Sequence, residues 1–499
     1  MLIFFQFLLY LLFTFFSLLS ILGFGRLINN TLKISIRENS FIHYNFITGL
    51  IFISFVSILY NLFYSLNDIY NTSLLTFGLF YFIFFFQNKK ILPLFYASLI
   101  AVAVSFFAGL NDDFDYHLKT ILNFKQQNLF EIEHQRRISY NSNWLFLSSV
   151  FTFKNYLQGL FVPAALLYSV LILDLIEARK ISDKNKNYTL SFFCLTTLIF
   201  LIGVINKSKD FGTDVPGFLI LIFIMLNILH QKSSKDMLQF NNILFLLFLF
   251  STFGLMIKIT NSMIIFYLFV FLLFNKFNFF KFFSVKYFFT TLPIFFWFFQ
   301  NITISGCVIW PITPLCIFEN AYSTQELYLI ESFAKGDINT SISADGFSWI
   351  PVWIENHSSK MLEIYGVFSL IFIIPIIYFY MNKNFNLKKK IKFYNFYLTN
   401  KILLFLFIVT FFCNCVWFFY YPAYRFGLFY NLCLIFYIFL PFWLNIFEEK
   451  QFYNIVSRGL VVIALTFFIY ENSSRFIEYN NRFGNIWPPI SNTEILYKE

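Results

Sequence analysis

Apolar runs of about 17 to 25 residues recur along the whole of this 499-residue chain, the length a helix rising 1.5 Å per residue needs to cross roughly 30 Å of hydrocarbon. In lipid, backbone N–H and C=O groups find partners only within a helix or a closed barrel. Barrel strands alternate apolar and polar residues over about 10 positions, and these runs do not alternate. The chain is therefore expected to be all-α, a polytopic transmembrane helix bundle of about 12 to 14 spans whose outer-face loops carry short surface helices.

Hydrophobic residues make up 59% of the chain and charged residues 12%, which leaves no soluble domain large enough to fold by itself. The 80 Phe residues read as lipid-facing filler and carry no functional signal. The runs lie near 2–22, 44–64, 72–87, 91–108, 157–178, 189–205, 217–230, 239–257, 263–275, 285–302, 361–381, 402–420, 428–447 and 459–471. A single transmembrane domain over 1–471 and a short tail over 472–499 follow from this division. The first run lacks a basic leader and a small-residue cleavage site, so it reads as a span and not as a removable signal. Trp144 to Phe153 is too short to cross and follows a polar loop, and is expected to be interfacial or re-entrant.

Loops 23–43, 88–90, 179–188, 231–238, 276–286, 382–401 and 448–458 hold 22 of the 36 Lys and Arg, and so are expected to face the cytoplasm. The same asymmetry explains the formal charge of +10 without nucleic acid as a partner. The alternate set then faces outward. It contains loops 109–155, 206–217, 303–360 and 421–427 and the tail, and with them every chemically unusual segment.

The first outer loop carries Asp112, Asp113, Asp115 and His117 within six residues. Crowded carboxylates repel one another, which raises the pKa of at least one and suits it to act as a general base; an acidic helix start in a solvated loop has the same composition. A surface helix over Leu118 to Phe130 is expected to follow. Arg136 and Arg137 run against the positive-inside trend, and guanidinium holds phosphate or carboxylate bidentately, although Glu131 and Glu133 stand close enough to pair with them. Lys209 lies beside Asp210 and Asp214, and Arg425 stands among aromatics between two spans, where an Arg can also merely snorkel. Trp310, Trp349 and Trp353 on the longest outer loop fit either sugar stacking or an interfacial belt. Cys307 and Cys316 are close enough in sequence for a disulfide on the oxidising side. Five His without an HExxH motif, and Cys without CxxC, offer no metal site, and no Gly-rich nucleotide loop is present. No cofactor is expected, and a donor would have to reach the site at the outer face of the membrane.

The acidic loop followed by a surface helix resembles the GT-C superfamily of glycosyltransferases. A closer resemblance is to a largely uncharacterised bacterial family of multi-spanning proteins associated with surface polysaccharide loci. Its pattern of Asp, Tyr-His, Arg and Asn-Ser-x-Trp falls on Asp112, Tyr116-His117, Arg137 and Asn141-Ser142-Asn143-Trp144. Its later elements look like Ser305-Gly306, Trp310-Pro311 and Arg425-Phe426. The resemblance implies a transferase in the bacterial cytoplasmic membrane that moves a sugar from a polyprenyl-phosphate-linked donor to a glycan or lipid acceptor. Asp112 and Asp113 would be catalytic, with Asp115 and His117 in support. Arg136, Arg137, Lys209, Arg425, Asn141, Trp144 and Trp310 would hold phosphate or substrate. A polysaccharide polymerase or ligase would depend chiefly on Arg, and a transporter or flippase on charges within spans, where Asp174 is the clearest candidate.

Overall fold

The computed structural model describes residues 2–34, 42–85, 91–105, 117–132, 141–203, 212–231, 237–275, 284–310, 312–317, 335, 347–381, 392–448 and 450–483. Among these the architecture is 17 α-helices without a strand. They are α1 (Leu2–Thr31), α2 (His43–Asn61), α3 (Asp68–Phe85), α4 (Ile91–Val104), α5 (Lys119–Gln126), α6 (Asn143–Phe151), α7 (Val162–Lys184), α8 (Tyr188–Gly203) and α9 (Asp214–Gln231). There follow α10 (Met237–Ile257), α11 (Ile264–Phe274), α12 (Val285–Ser305), α13 (Ile350–Met381), α14 (Lys392–Thr399), α15 (Lys401–Tyr420), α16 (Tyr424–Glu448) and α17 (Lys450–Phe483).

Within the described residues, each apolar run read from the sequence falls largely on one of these helices. Among the described residues nine helices are long and apolar enough to cross a membrane: α1, α2, α3, α7, α10, α12, α15, α16 and α17. α4, α8, α9 and α11 are shorter apolar helices, and α13 runs for 32 residues. The protein is an integral membrane protein. α8 and α9 are buried over almost their whole length, so they need not match the lipid thickness by themselves. They form the centre with α7 and α10, and α16 packs against α8 and α9. Outside them, α3, α15 and α17 turn apolar side chains outward, as at Phe84 (71% exposed), Ile408 (51%) and Ile469 (62%). A surface of this kind is stable only against lipid. α17 continues to Phe483, past the point at 471 where its apolar run ends.

The short segment before α7 dips into the bundle, as a re-entrant element does. All nine residues of α6 are buried. Ser142 caps its start, the Trp144 N–H donating to Ser142 Oγ at 3.2 Å. Phe153 and Tyr156 pair across a tight turn that returns the chain to α7. Irregular backbone at this depth is tolerated because protein, not lipid, surrounds it. The expected surface helix is shorter than the sequence suggests. α5 buries Thr120, Ile121 and Phe124, and the Phe124 ring stacks on Phe146 of α6 with centroids 3.6 Å apart. Lys125 fastens the far end of α5, donating to Asp68 Oδ1 at 2.7 Å and to the Thr152 carbonyl at 2.5 Å. Burial pulls the Lys125 ammonium below its ordinary pKa, and Asp68 offsets part of that.

α12 ends on Gly306, which takes the left-handed conformation at φ 73° that a side chain would resist, its N–H donating to the Ile302 carbonyl at 2.9 Å. The chain then turns back on itself through a Cys307–Cys316 disulfide.

Candidate functional site

At one end of the bundle four segments that are far apart in sequence bring charged groups together. Asp214 is the first residue of α9, where unsatisfied backbone N–H groups favour a carboxylate. Lys258 follows α10 directly, its N–H donating to the Gly254 carbonyl at 3.1 Å before the chain turns through a 3-10 segment, Ile259–Met263, into α11. The Lys258 ammonium donates to Asp214 Oδ1, and the Arg425 Nε donates to Asp214 Oδ2 at 3.0 Å. Each carboxylate oxygen thus meets a different cation.

Phe426 completes the arrangement. The Lys258 Nζ lies 3.5 Å from its ring centroid and the Arg425 guanidinium carbon 5.5 Å, so one aromatic face attracts both cations. Among the described residues, two cations thus share one carboxylate here. Lys258 and Asp214 are largely enclosed, whereas the Arg425 side chain is 52% exposed and reaches outward. The fourth segment contributes His117. Its ring packs on Gly212, where an added methyl would come within 2.6 Å of the His117 Cε1, and its field acts on Asp214.

The turn that carries Arg425 is held by two indoles. Trp353 Nε1 donates to the Pro422 carbonyl at 2.7 Å and Trp417 Nε1 to the Ala423 carbonyl at 2.9 Å. The aromatic residues of this region that the sequence leaves between sugar stacking and an interfacial belt therefore have a structural task at Trp353. Trp310, inside the disulfide-closed turn, is 4% exposed. Ser305 stabilises that turn by donating to the Asn301 carbonyl at 2.7 Å and accepting from the Cys307 N–H at 3.1 Å.

The Asn-Ser-x-Trp element sits inside the bundle. Asn141 adopts a positive φ of 32°, and its amide donates to Asn301 Oδ1 of α12 at 2.7 Å while its carbonyl accepts from Trp297 Nε1 at 2.9 Å. Ser142 Oγ donates to the Ile257 carbonyl at 2.7 Å, one residue before Lys258. Trp144 is wholly buried. Ser142 thus ties down the residue before Lys258, while the bonds of Asn141 go to α12 and neither it nor Trp144 meets the charged corner among the described contacts. Asp112, Asp113, Asp115, Arg136, Arg137 and Lys209 lie outside the described residues.

Of the residues singled out from sequence, His117 and Arg425 meet here through Asp214. Lys258 is the participant that sequence reading passes over. The signal for it was the same as for Arg425, a lone cation between two apolar spans on the side with fewer cations.

No curated protein matches this chain, and no solved structure does. One family model does match, over residues 1–433, a stretch that contains His117, Asp214, Lys258 and Arg425. The chain accordingly belongs to the family described as Domain of unknown function (DUF8201).

Proposed function

We propose that the protein is a membrane glycosyltransferase that moves a sugar from a polyprenyl-phosphate-linked donor to a glycan or lipid acceptor on the extracytoplasmic face. The observation that carries this reading is the meeting of Lys258 and Arg425, from two different segments, on the carboxylate of Asp214, with the Arg425 side chain half exposed. Such a corner suits a lipid phosphate, which can exchange for Asp214 on the guanidinium while Lys258 stays on the carboxylate. The acceptor hydroxyl oxygen attacks the anomeric carbon, and the bond from that carbon to the carrier phosphate breaks with its electron pair leaving on the phosphate. Asp112 or Asp113 takes the hydroxyl proton, and the two cations stabilise the released phosphate. His117 joins the acidic loop to this corner, which supports placing the base and the cations in one site. The disulfide supports an oxidising, outward-facing side for the same end of the bundle.

The test is sugar release from a polyprenyl-phosphate donor pool by purified variants. Arg425→Lys keeps charge but loses the planar fork, and Lys258→Met loses the charge. Each is expected to lower transfer about 10- to 100-fold, the range of one hydrogen bond to a charged group. Asp112→Asn or Asp113→Asn is expected to lower it about 100-fold or more with an unchanged melting temperature. Wild-type rates in all four variants would remove both the phosphate-holding and the general-base roles.

A further inference from the structure

A second polar cluster lies inside the bundle, away from the charged corner. Asp174 of α7 and His43 at the start of α2 are both buried, at 1% and 0% exposure, with His43 Nδ1 2.5 Å from Asp174 Oδ2. The same carboxylate oxygen accepts the His43 backbone N–H at 3.2 Å, so Asp174 caps the first turn of α2 from another helix. An oxygen that already accepts there takes the Nδ1 proton as well, which makes Nδ1 the protonated ring nitrogen. The other nitrogen, Nε2, lies 3.1 Å from Asn227 Nδ2 of α9.

The orientation of Asn227 is fixed by its neighbours. Its Nδ2 also donates to the Phe223 carbonyl at 2.7 Å, which can only accept, and its Oδ1 accepts from the Tyr44 hydroxyl. Turning the amide over would set two oxygens against each other at Phe223. Asn227 therefore offers Nε2 a donor, which suits the neutral ring. The helix terminus favours a negative charge on Asp174. Ionised Asp174 beside a neutral His43 is a net negative charge inside an apolar bundle, and one added proton cancels it. The two influences oppose each other: the buried charge draws a proton to Nε2, and Asn227 opposes it.

We propose that His43 and Asp174 form a proton-binding site within the membrane bundle, and that a proton taken up on His43 Nε2 breaks the bond from Asn227 and so loosens α2 from α9. The step balances simply, since a proton from water adds to the Nε2 lone pair and no other bond is made. Among the described residues the titratable groups around His43 include Asp174 on α7, Tyr44 on its own helix and His230 on α9, one turn beyond Asn227 and partly exposed. α9 also brings the Phe223 ring and α10 the Phe250 ring, while α1 carries Arg26 beside Gly25, which packs on Asn45. Thirteen residues of α9 put Asn227 about 20 Å from Asp214, so this site is separate from the charged corner and does not depend on the reading given to it.

The experiment is nitrogen magnetic resonance of the full chain in detergent, labelled at its five histidines, with His43→Gln to assign the His43 signals. At high pH the Nδ1-protonated neutral ring is expected, and on acidification within the range where the protein stays folded a reversible conversion to the doubly protonated ring. At a fixed pH at which the wild type is partly converted, Asp174→Asn should leave at least tenfold less of the doubly protonated form than wild type, and Asn227→Leu should leave more. A His43 ring that stays neutral at every pH where the wild type remains folded overturns the proposal, with no variant needed. So does a population that neither variant changes, which would make the pair a helix cap and nothing more.

Discussion

Arg425 owes its place to Gly427. A methyl at position 427 would come within 2.3 Å of the Trp417 indole, which is itself tied by Nε1 to the Ala423 carbonyl and packed edge-on against Trp353. The indole cannot give way without releasing the turn that aims the guanidinium at Asp214. Gly427→Ala is therefore expected to cost about 1–3 kcal/mol, the range for overpacking a filled site, and to lower the melting temperature in detergent. Sugar transfer should fall with it if Arg425 holds the donor. An unchanged melting temperature would show that the indole moves freely and that the turn is not fixed in this way. None of this is legible in the sequence around Arg425, where a lone cation among aromatics looks like a snorkelling anchor. What distinguishes it is Asp214, a partner supplied by a different helix, and no local pattern reports such a pair. The pairing of His43 with Asp174 is hidden for the same reason: Asp174 stands out in the sequence as a charge near a span, but its partner is on another helix.

The helices themselves could be read from the chain because lipid imposes a length, and a run of apolar residues that long has few other uses. α6 was harder. Its composition separates it from a span but not a surface position from a buried one, since both are apolar and short. The structure resolves this through Ser142, which caps α6 and also donates to the carbonyl of Ile257 at the end of α10. The Asn-Ser-x-Trp element was read from sequence as substrate-facing, and the structure gives Ser142 and Asn141 the work of joining α6 to α10 and α12. Ser142→Ala removes the cap and leaves a buried carbonyl short of a donor, each worth about 1 kcal/mol. Thermal or denaturant unfolding should show a loss of about 1–3 kcal/mol, with Ser142→Thr recovering most of it. A neutral Ser142→Ala would mean that α6 is held by packing alone and that its motif has another purpose.

The two ends of the bundle are distinct, and which of them faces outward decides whether a lipid-linked donor can meet the charged corner at all. α16 starts at Tyr424 beside Arg425 and runs 25 residues, about 37 Å, to Glu448, near which Phe447 stacks on Tyr188 at the start of α8. Asn185, exposed just before α8, therefore lies at the end opposite Arg425, whereas Phe347 is 67% exposed and its ring meets Phe419 close to the Arg425 turn. Two independent arguments support the outward direction proposed for the charged end. The set of alternate loops in the sequence that includes 179–188, and with it Asn185, carries most of the Lys and Arg, as cytoplasmic loops do. The disulfide closes the turn after α12, and through Asn301, Asn141 and Ser142 that turn is tied to the residue before Lys258, so it belongs to the charged end. An impermeant thiol reagent applied to intact cells is thus expected to modify Phe347→Cys and to leave Asn185→Cys protected until the membrane is opened. The unaltered chain is the control, since its free cysteines Cys194, Cys413 and Cys433 are buried and Cys415 is half-buried. Labelling at 185 with protection at 347 would put Lys258 and Arg425 on the cytoplasmic side, and the proposal of an extracytoplasmic transfer would fall while the His43–Asp174 proton site would stand.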